Sequence, residues 1–112
     1  MRLQTESELV TACLRLLSWR GILAWRSNNA GVFDPARKCF RSFRGLKGVS
    51  DILGVLDGGR LLAVECKRPG GQPTAEQQAF LDAVNQRGGL AVLTHGVADL
   101  EAALDGALRE NR

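Results

Sequence analysis

Three charged side chains in the apolar stretch VSDILGVLDGGRLLAVECK (49–67) have the types and spacing that phosphodiester chemistry needs. Residues i and i+2 of a strand share a face, so Glu65 and Lys67 point to one side and Cys66 to the other. Asp51 adds a second carboxylate, and two adjacent carboxylates repel each other unless a cation lies between them. Carboxylate oxygens select hard cations such as Mg²⁺ or Mn²⁺, which together with an ammonium group suit phosphodiester hydrolysis. A cross-strand salt bridge at a sheet edge is the alternative interpretation.

Two strands, at 49–56 and 61–67, must position these charges. They are joined through Asp57-Gly58-Gly59, and Asp-Gly between apolar runs predicts a β-hairpin. An antiparallel pair that turns near 58 and 59 places Asp51 level with residues 65–67. We therefore expect the three ionisable groups to converge on one edge of the sheet.

The rest of the chain predicts helices on both sides of this hairpin. Thr5 and Glu8 form a capping-box pattern, which predicts a helix from about Glu6 to Gly21. A short strand (22–26) and a long loop (27–48) are predicted to follow. After the hairpin, the sequence predicts a loop (68–74) and a helix that is capped by Thr74 and ends at Gly88-Gly89. A buried strand (90–95) and a last helix (98–110) complete the chain. The order α-β-β-β-α-β-α indicates an α/β fold, a mixed sheet flanked by helices, as a single domain over 1–112.

Positive charge is concentrated in the first half of the chain. The net charge is +6 over residues 1–50 and −3 over 51–112, and the excess is densest in ARKCFRSFRGLKG (36–48). Five cations alternate there with Phe40 and Phe43: Arg37, Lys38, Arg41, Arg44 and Lys47. Cations follow a phosphate backbone and aromatic rings stack on bases, so the segment favours nucleic-acid contact. A solvated loop with two Phe side chains in the core is the alternative, and Trp19 and Trp25 are expected in the core.

Composition narrows the chemistry further. The apolar share of 45% and the charged share of 24% are typical of a globular protein, and no apolar run approaches the ~18 residues of a membrane span. Cys13, Cys39 and Cys66 lie far apart, and His95 is the only histidine, so zinc spacing and histidine-based nucleophilic catalysis have no support. We expect the thiols to be reduced or buried and His95 to have a structural role. We also expect the protein to be located in the cytoplasm of a bacterial or phage-infected host cell.

An ordered set of motifs covers almost the whole chain. GVSD and VECK are followed by Thr74, Gln77 and Phe80 in a T-x-x-Q-x-x-F pattern, and ESELVTACLRLL and WRSNNAG precede them. Together these segments resemble the VRR-NUC domain of the PD-(D/E)xK (restriction-endonuclease-like) nuclease superfamily. The basic loop matches no motif of that family. Of the family's properties, substrate choice is therefore the one that the resemblance supports least for this chain.

The resemblance implies a restriction-endonuclease-like core and metal-dependent DNA cleavage with Mg²⁺ or Mn²⁺. It implies that Asp51, Glu65 and the backbone carbonyl of Cys66 hold metal, and that Lys67 is the catalytic lysine. It also implies a catalytic role for Gln77 near the scissile phosphate, and a metal-ligating acid in the first helix, for which Glu8 fits better than Glu6. Glu8 and Gln77 each follow a threonine by three residues, so both also suit plain capping.

The expected substrate is branched DNA. A lone site cuts one strand at a time, so we expect a homodimer of the Holliday-junction-resolvase or flap-cleaving kind, reading DNA shape rather than sequence. The expected DNA contacts are Arg26, Arg37, Lys38, Arg41, Arg44, Lys47 and Arg68. A catalytically inactive nucleic-acid-binding module of the same fold is the alternative function, and a nuclease acting on RNA or nucleotides stays open.

Overall fold

The chain folds in the order α-β-β-β-β-β-α-β-α in a computed structural model that describes residues 4–27, 32–41 and 46–110. The helices are α1 (Glu6–Trp19), α2 (Ala75–Gln86) and α3 (Val97–Glu110). The strands are β1 (Leu23–Arg26), β2 (Val32–Asp34), β3 (Cys39–Arg41), β4 (Ile52–Val55), β5 (Leu61–Cys66) and β6 (Leu90–Thr94). Within the described residues, none of the helices is long and apolar enough to cross a membrane.

Both predicted capping boxes are confirmed. The Thr5 hydroxyl accepts a hydrogen bond from the backbone N–H of Glu8 at 3.0 Å, and the Thr74 hydroxyl accepts one from Gln77 at 3.2 Å. These bonds satisfy N–H groups that the first turn of a helix leaves without partners. They fix where α1 and α2 begin.

Four strands form one mixed sheet in the order β1-β4-β5-β6, which confirms the predicted α/β class. β1 and β5 each pair antiparallel with β4, and β6 pairs parallel with β5 after the crossover through α2. The strand expected at 90–95 is not an interior strand, because β6 ends the described sheet. Its side chains are half-buried or buried because α2 and α3 both pack on it.

The main core lies between α1, α3 and one face of the sheet. The core residues from the helices and sheet are Leu9, Val10, Cys13, Leu17, Ile52, Leu62, Val64, Cys66, Val92, Leu100 and Leu104. α2 packs on the other face, over β5 and β6. The expectation that both tryptophans are core was wrong: Trp19 ends α1 at 84% exposure, and Trp25 is 45% exposed on β1, where α2 does not reach.

The predicted long loop contains a hairpin, so that prediction was wrong for residues 32–41. β2 and β3 pair antiparallel, with Phe33 opposite Phe40, and form a two-stranded sheet of their own. Asp34-Pro35 starts the turn, which Lys38 closes with φ at 53°. Each strand has only three residues, too few for a period-2 pattern to be recognised in the sequence.

Candidate active site

Asp51 and Glu65 replace the backbone pairing at the open end of the β4–β5 hairpin. The last register pair is Ile52 with Val64. Beyond it, the backbone N–H of Asp51 donates to Glu65 Oε2 at 3.2 Å, and the N–H of Cys66 donates to Asp51 Oδ2 at 2.9 Å. Each carboxylate is therefore held by the opposite strand, and the two lie next to each other as the hairpin register predicts.

Lys67 lies beside this pair. Its backbone N–H donates to the carbonyl of Thr94 at 3.0 Å, which extends the parallel pairing with β6 by one residue. Its Nζ lies 3.7 Å from Glu65 Oε1 on the same face of the sheet, with 13% of the Lys67 side chain exposed. The structure thus brings together the three charges that the sequence singles out.

Burial makes the charge on Glu65 costly. The residue is only 1% exposed, and this desolvation, followed by the charge of Asp51, raises the pKa of Glu65 to about 7. Lys67 acts in the opposite direction without offsetting the rise. A further cation at the carboxylates would stabilise the ionised form, which is the electrostatic property expected of a metal site.

Cys66 points away from these charges into the core, as strand alternation predicts. It is fully buried, and the hydrogen bond with Cys13 of α1, together with burial, raises the pKa of the Cys66 thiol. Both thiols are free. Metal binding by the Cys66 carbonyl stays a prediction.

Glu8 and Gln77 act as capping residues. Glu8 Oε1 accepts from the backbone N–H of Thr5 at 3.2 Å, and Gln77 Oε1 accepts from that of Thr74 at 2.9 Å. Across the described ranges, no three His, Cys, Asp or Glu residues gather as a metal-ligand group, so Glu8 does not complete such a group with Asp51 and Glu65. The roles of Glu8 in metal binding and Gln77 in catalysis stay predictions.

The predicted DNA contacts are distributed over two parts of the molecule. Arg26 ends β1 and Arg68 follows β5; both are exposed, and Arg26 Nη1 also donates to Ser7 Oγ at 3.4 Å. The others belong to the basic segment: Arg37 and Lys38 are exposed in the β2–β3 turn, Arg41 ends β3, Lys47 is exposed before β4, and Arg44 lies outside the described residues. DNA contact by each of them stays a prediction.

His95 has a contact that its sequence position only partly predicts. Its Nε2 donates to the carbonyl of Gly71 at 2.9 Å, and its backbone N–H donates to Asp99 Oδ2 at 3.0 Å. It therefore fastens the loop after Lys67 to the end of β6. The signal available in the sequence was its place directly after the strand that pairs with the Glu65–Lys67 strand.

Two cavities among the described residues lie away from the carboxylates. One, of about 320 Å³, is lined by Leu56 and Asp57, and the other, of about 550 Å³, by Gly59 and Leu61. Both are at the closed end of the β4–β5 hairpin, whereas the charges are at its open end.

Comparison with known proteins adds one match. The family model described as the VRR-NUC domain matches residues 6–98, which includes every element from α1 to β6. No curated protein matches the chain. The match agrees with the resemblance that the D…E-x-K and T-x-x-Q-x-x-F motifs carry.

Proposed function

Because the chain belongs to the VRR-NUC family of nucleases, we propose that it is a Mg²⁺- or Mn²⁺-dependent endonuclease that hydrolyses phosphodiester bonds in branched DNA. The observation that carries the proposal is the placement of Asp51, Glu65 and Lys67 at the open end of one hairpin, with Lys67 Nζ 3.7 Å from Glu65. Core packing alone gives no reason to bury a carboxylate there.

The donor set fits a hard divalent cation. Asp51 and Glu65 offer carboxylate oxygens, and burial of Glu65, followed by the charge of Asp51, raises its pKa to about 7. Asp51, Glu65 and the Cys66 carbonyl would hold the ion, with Glu8 as the proposed helix ligand. When bound, Mg²⁺ or Mn²⁺ polarises a phosphate oxygen and lowers the pKa of a water molecule.

The protein's own groups supply position and charge. Lys67 presents a compact ammonium group, which stabilises negative charge as it develops on a phosphate. Its backbone bond to Thr94 and its ion pair with Glu65 hold that group near the carboxylates before substrate arrives. Arg68, exposed one residue later, is proposed to contact a neighbouring phosphate.

We further propose that the active form is a homodimer that cuts junction or flap DNA. Cutting two strands needs two sites, and a two-fold pair provides them. Trp19, Leu23 and Trp25 are exposed apolar side chains, the kind of surface that a second copy would cover. The free thiols Cys13 and Cys66 support a cytoplasmic location in a bacterial or phage-infected cell.

One observation favours the alternative, an inactive DNA-binding module. Glu8 and Gln77 use their side chains for capping, which leaves Asp51 and Glu65 as the acidic pair at the site. The presence of Lys67 beside that pair favours the nuclease, because a binding module does not need this complete set.

The test is a cleavage panel. Labelled four-way junction, flap, duplex and single-stranded DNA are incubated with the wild-type chain in Mg²⁺, Mn²⁺ or EDTA, beside Lys67→Ala. We expect metal-dependent cleavage of a branched DNA, and binding without cleavage by Lys67→Ala. If every DNA is bound and none is cut with either metal, the binding-module function replaces the nuclease.

A further inference from the structure

The β2–β3 hairpin, which we call the arm (Val32–Arg41), lies in the sequence between two residues that contact the body of the molecule. Before the arm, Ser27 donates its backbone N–H to the carbonyl of Asp51 at 2.8 Å. After the arm, Gly48 lies against α2 so closely that a Cβ there would be 2.4 Å from the carbonyl carbon of Glu76. The last described residue before the arm thus lies beside Asp51, and the chain after the arm packs on the first turn of α2 three residues before Asp51.

The arm is built to present charge. Its strands pair with each other in a sheet separate from the main one, and residues 35–38 of its turn are exposed. Arg37 and Lys38 are adjacent in that turn, with Pro35 restricting the backbone at its start. Two neighbouring cations are thereby held at the closed end of a short ribbon.

We propose that the arm binds the phosphates of the duplex that flanks the bond to be cut. The inference rests on the proposed function, because it assigns a substrate contact to that same site. A two-stranded ribbon has dimensions that the major groove admits, and cations at its tip meet the phosphates that border the groove. Phosphate contacts carry no sequence information, in keeping with selection of DNA by its shape.

Charge favours DNA over a second copy of the chain as the partner of the arm. In a two-fold dimer joined through the arms, Arg37 and Lys38 would meet their own counterparts, and like charges repel. The half of the sequence that contains the arm has a net charge of +6, so no excess of acid accompanies it. A polyanion has the complementary charge.

The length of the arm limits how far from the cut it acts. Ala36, in the turn, follows Ser27 by nine residues, which when fully extended span roughly 30 Å. Since base pairs are about 3.4 Å apart, contacts are expected within about nine base pairs of the scissile phosphate.

The experiment compares two pairs of substitutions that change the net charge equally. Arg37→Gln/Lys38→Gln alters the arm, and Arg87→Gln/Arg109→Gln alters two exposed cations at the ends of α2 and α3. Both are made in the full-length Lys67→Ala chain, so that DNA is bound and not cut. Fluorescence anisotropy gives Kd for a junction with 12-base-pair arms at several salt concentrations.

We expect the arm variant to bind the 12-base-pair junction about tenfold more weakly, with the slope of log Kd against log salt reduced by about 2. The control should change less than twofold.

Two results would overturn the inference. In the first, the wild-type chain cuts branched DNA but the arm variant binds DNA as tightly as its control. That result would refute the role of the arm and leave the proposed nuclease function intact. The other is an arm variant that becomes monomeric by light scattering while the control stays dimeric, which makes the arm an interface between copies. If the wild-type chain binds DNA without cutting it, only the proposed nuclease function is refuted. The comparison of Kd values then still tests whether the arm binds DNA.

Discussion

Two β-hairpins in the described part of the chain carry charged side chains at opposite ends. In β4–β5, Asp51, Glu65 and Lys67 occupy the open end, and most of β5 is buried between α1 and α2. In the arm, Arg37 and Lys38 occupy the closed end and are exposed. Burial restricts the positions of the first set of charges, which suits chemistry at one bond. The exposed set is accessible to a substrate of variable shape.

The two arrangements differ in what they cost the fold. The exposed side chains of Arg37 and Lys38 remain in contact with water, so their charges are not desolvated. Glu65 has lost most of that solvation, and its burial, followed by the charge of Asp51, raises its pKa to about 7. Ionised Glu65 therefore destabilises the hairpin of the candidate active site, a cost that the proposed metal would offset.

The largest expected effect comes from removing a charge at the open end of β4–β5. Glu65→Gln keeps the shape of the side chain and should lower the cleavage rate at least ~10³-fold, because it removes a proposed metal ligand. Asp57→Asn, in the exposed turn of the same hairpin, is the matched control and should change the rate less than twofold. Single-turnover cleavage of junction DNA measures both, and equal losses would contradict the assignment of the site to the open end.

The next effect is a pH dependence of stability. The folded-state pKa of Glu65 is raised above 4.5, so the folded chain binds more protons than the unfolded chain between about pH 4.5 and 7. The free energy of unfolding of the metal-free protein should therefore fall across that range, by up to about 3 kcal/mol. Urea denaturation at pH 4.5, 6 and 8 gives the values.

Glu65→Gln is the control for that titration. The variant should lack this part of the fall, since its amide stays neutral, while all other groups titrate as in wild type. Adding Mn²⁺ at pH 8 should raise the Tm of wild type more than that of the variant. Parallel pH profiles for the two proteins would show that Glu65 titrates normally.

The smallest effect compares glycines at the base of the arm and in the turn of β4–β5. Gly48 and Gly58 have nearly the same φ, +81° and +83°, but a Cβ meets the Glu76 backbone at Gly48 and open space at Gly58. Gly58→Ala should cost about 1 kcal/mol of unfolding free energy from backbone strain alone. Gly48→Ala should cost about 2 kcal/mol more, from steric overlap. Equal losses by urea denaturation would mean that the return of the arm does not pack on α2.

The sequence predicts the hairpin of the candidate active site well because several signals agree there. Apolar runs, an Asp-Gly turn and i, i+2 spacing each place Glu65 and Lys67 beside Asp51, and the register confirms it. The capping boxes at Thr5 and Thr74 are predictable for a similar reason, since both partners lie within three residues. Local pairs of this kind leave little for tertiary structure to decide.

Features that depend on long-range packing are predicted less well. The arm has strands of only three residues, so the sequence signal for this hairpin is limited to the turn dipeptide Asp34-Pro35. Trp25 has the composition of a core residue, but its exposure depends on how far α2 extends across the sheet, which no local pattern records. Whether Glu8 serves as a cap or a ligand is likewise a matter of tertiary distance.

The hydrogen bond from Ser27 to the Asp51 carbonyl has a consequence for how such a protein can diversify. It fixes the departure point of the arm to the main sheet, and the contact of Gly48 with α2 fixes its return. Because both anchors lie outside the arm, a change in arm length need not move the carboxylates. If the arm contacts DNA as proposed, substrate range and bond cleavage would be altered by mutations in separate segments of one small domain.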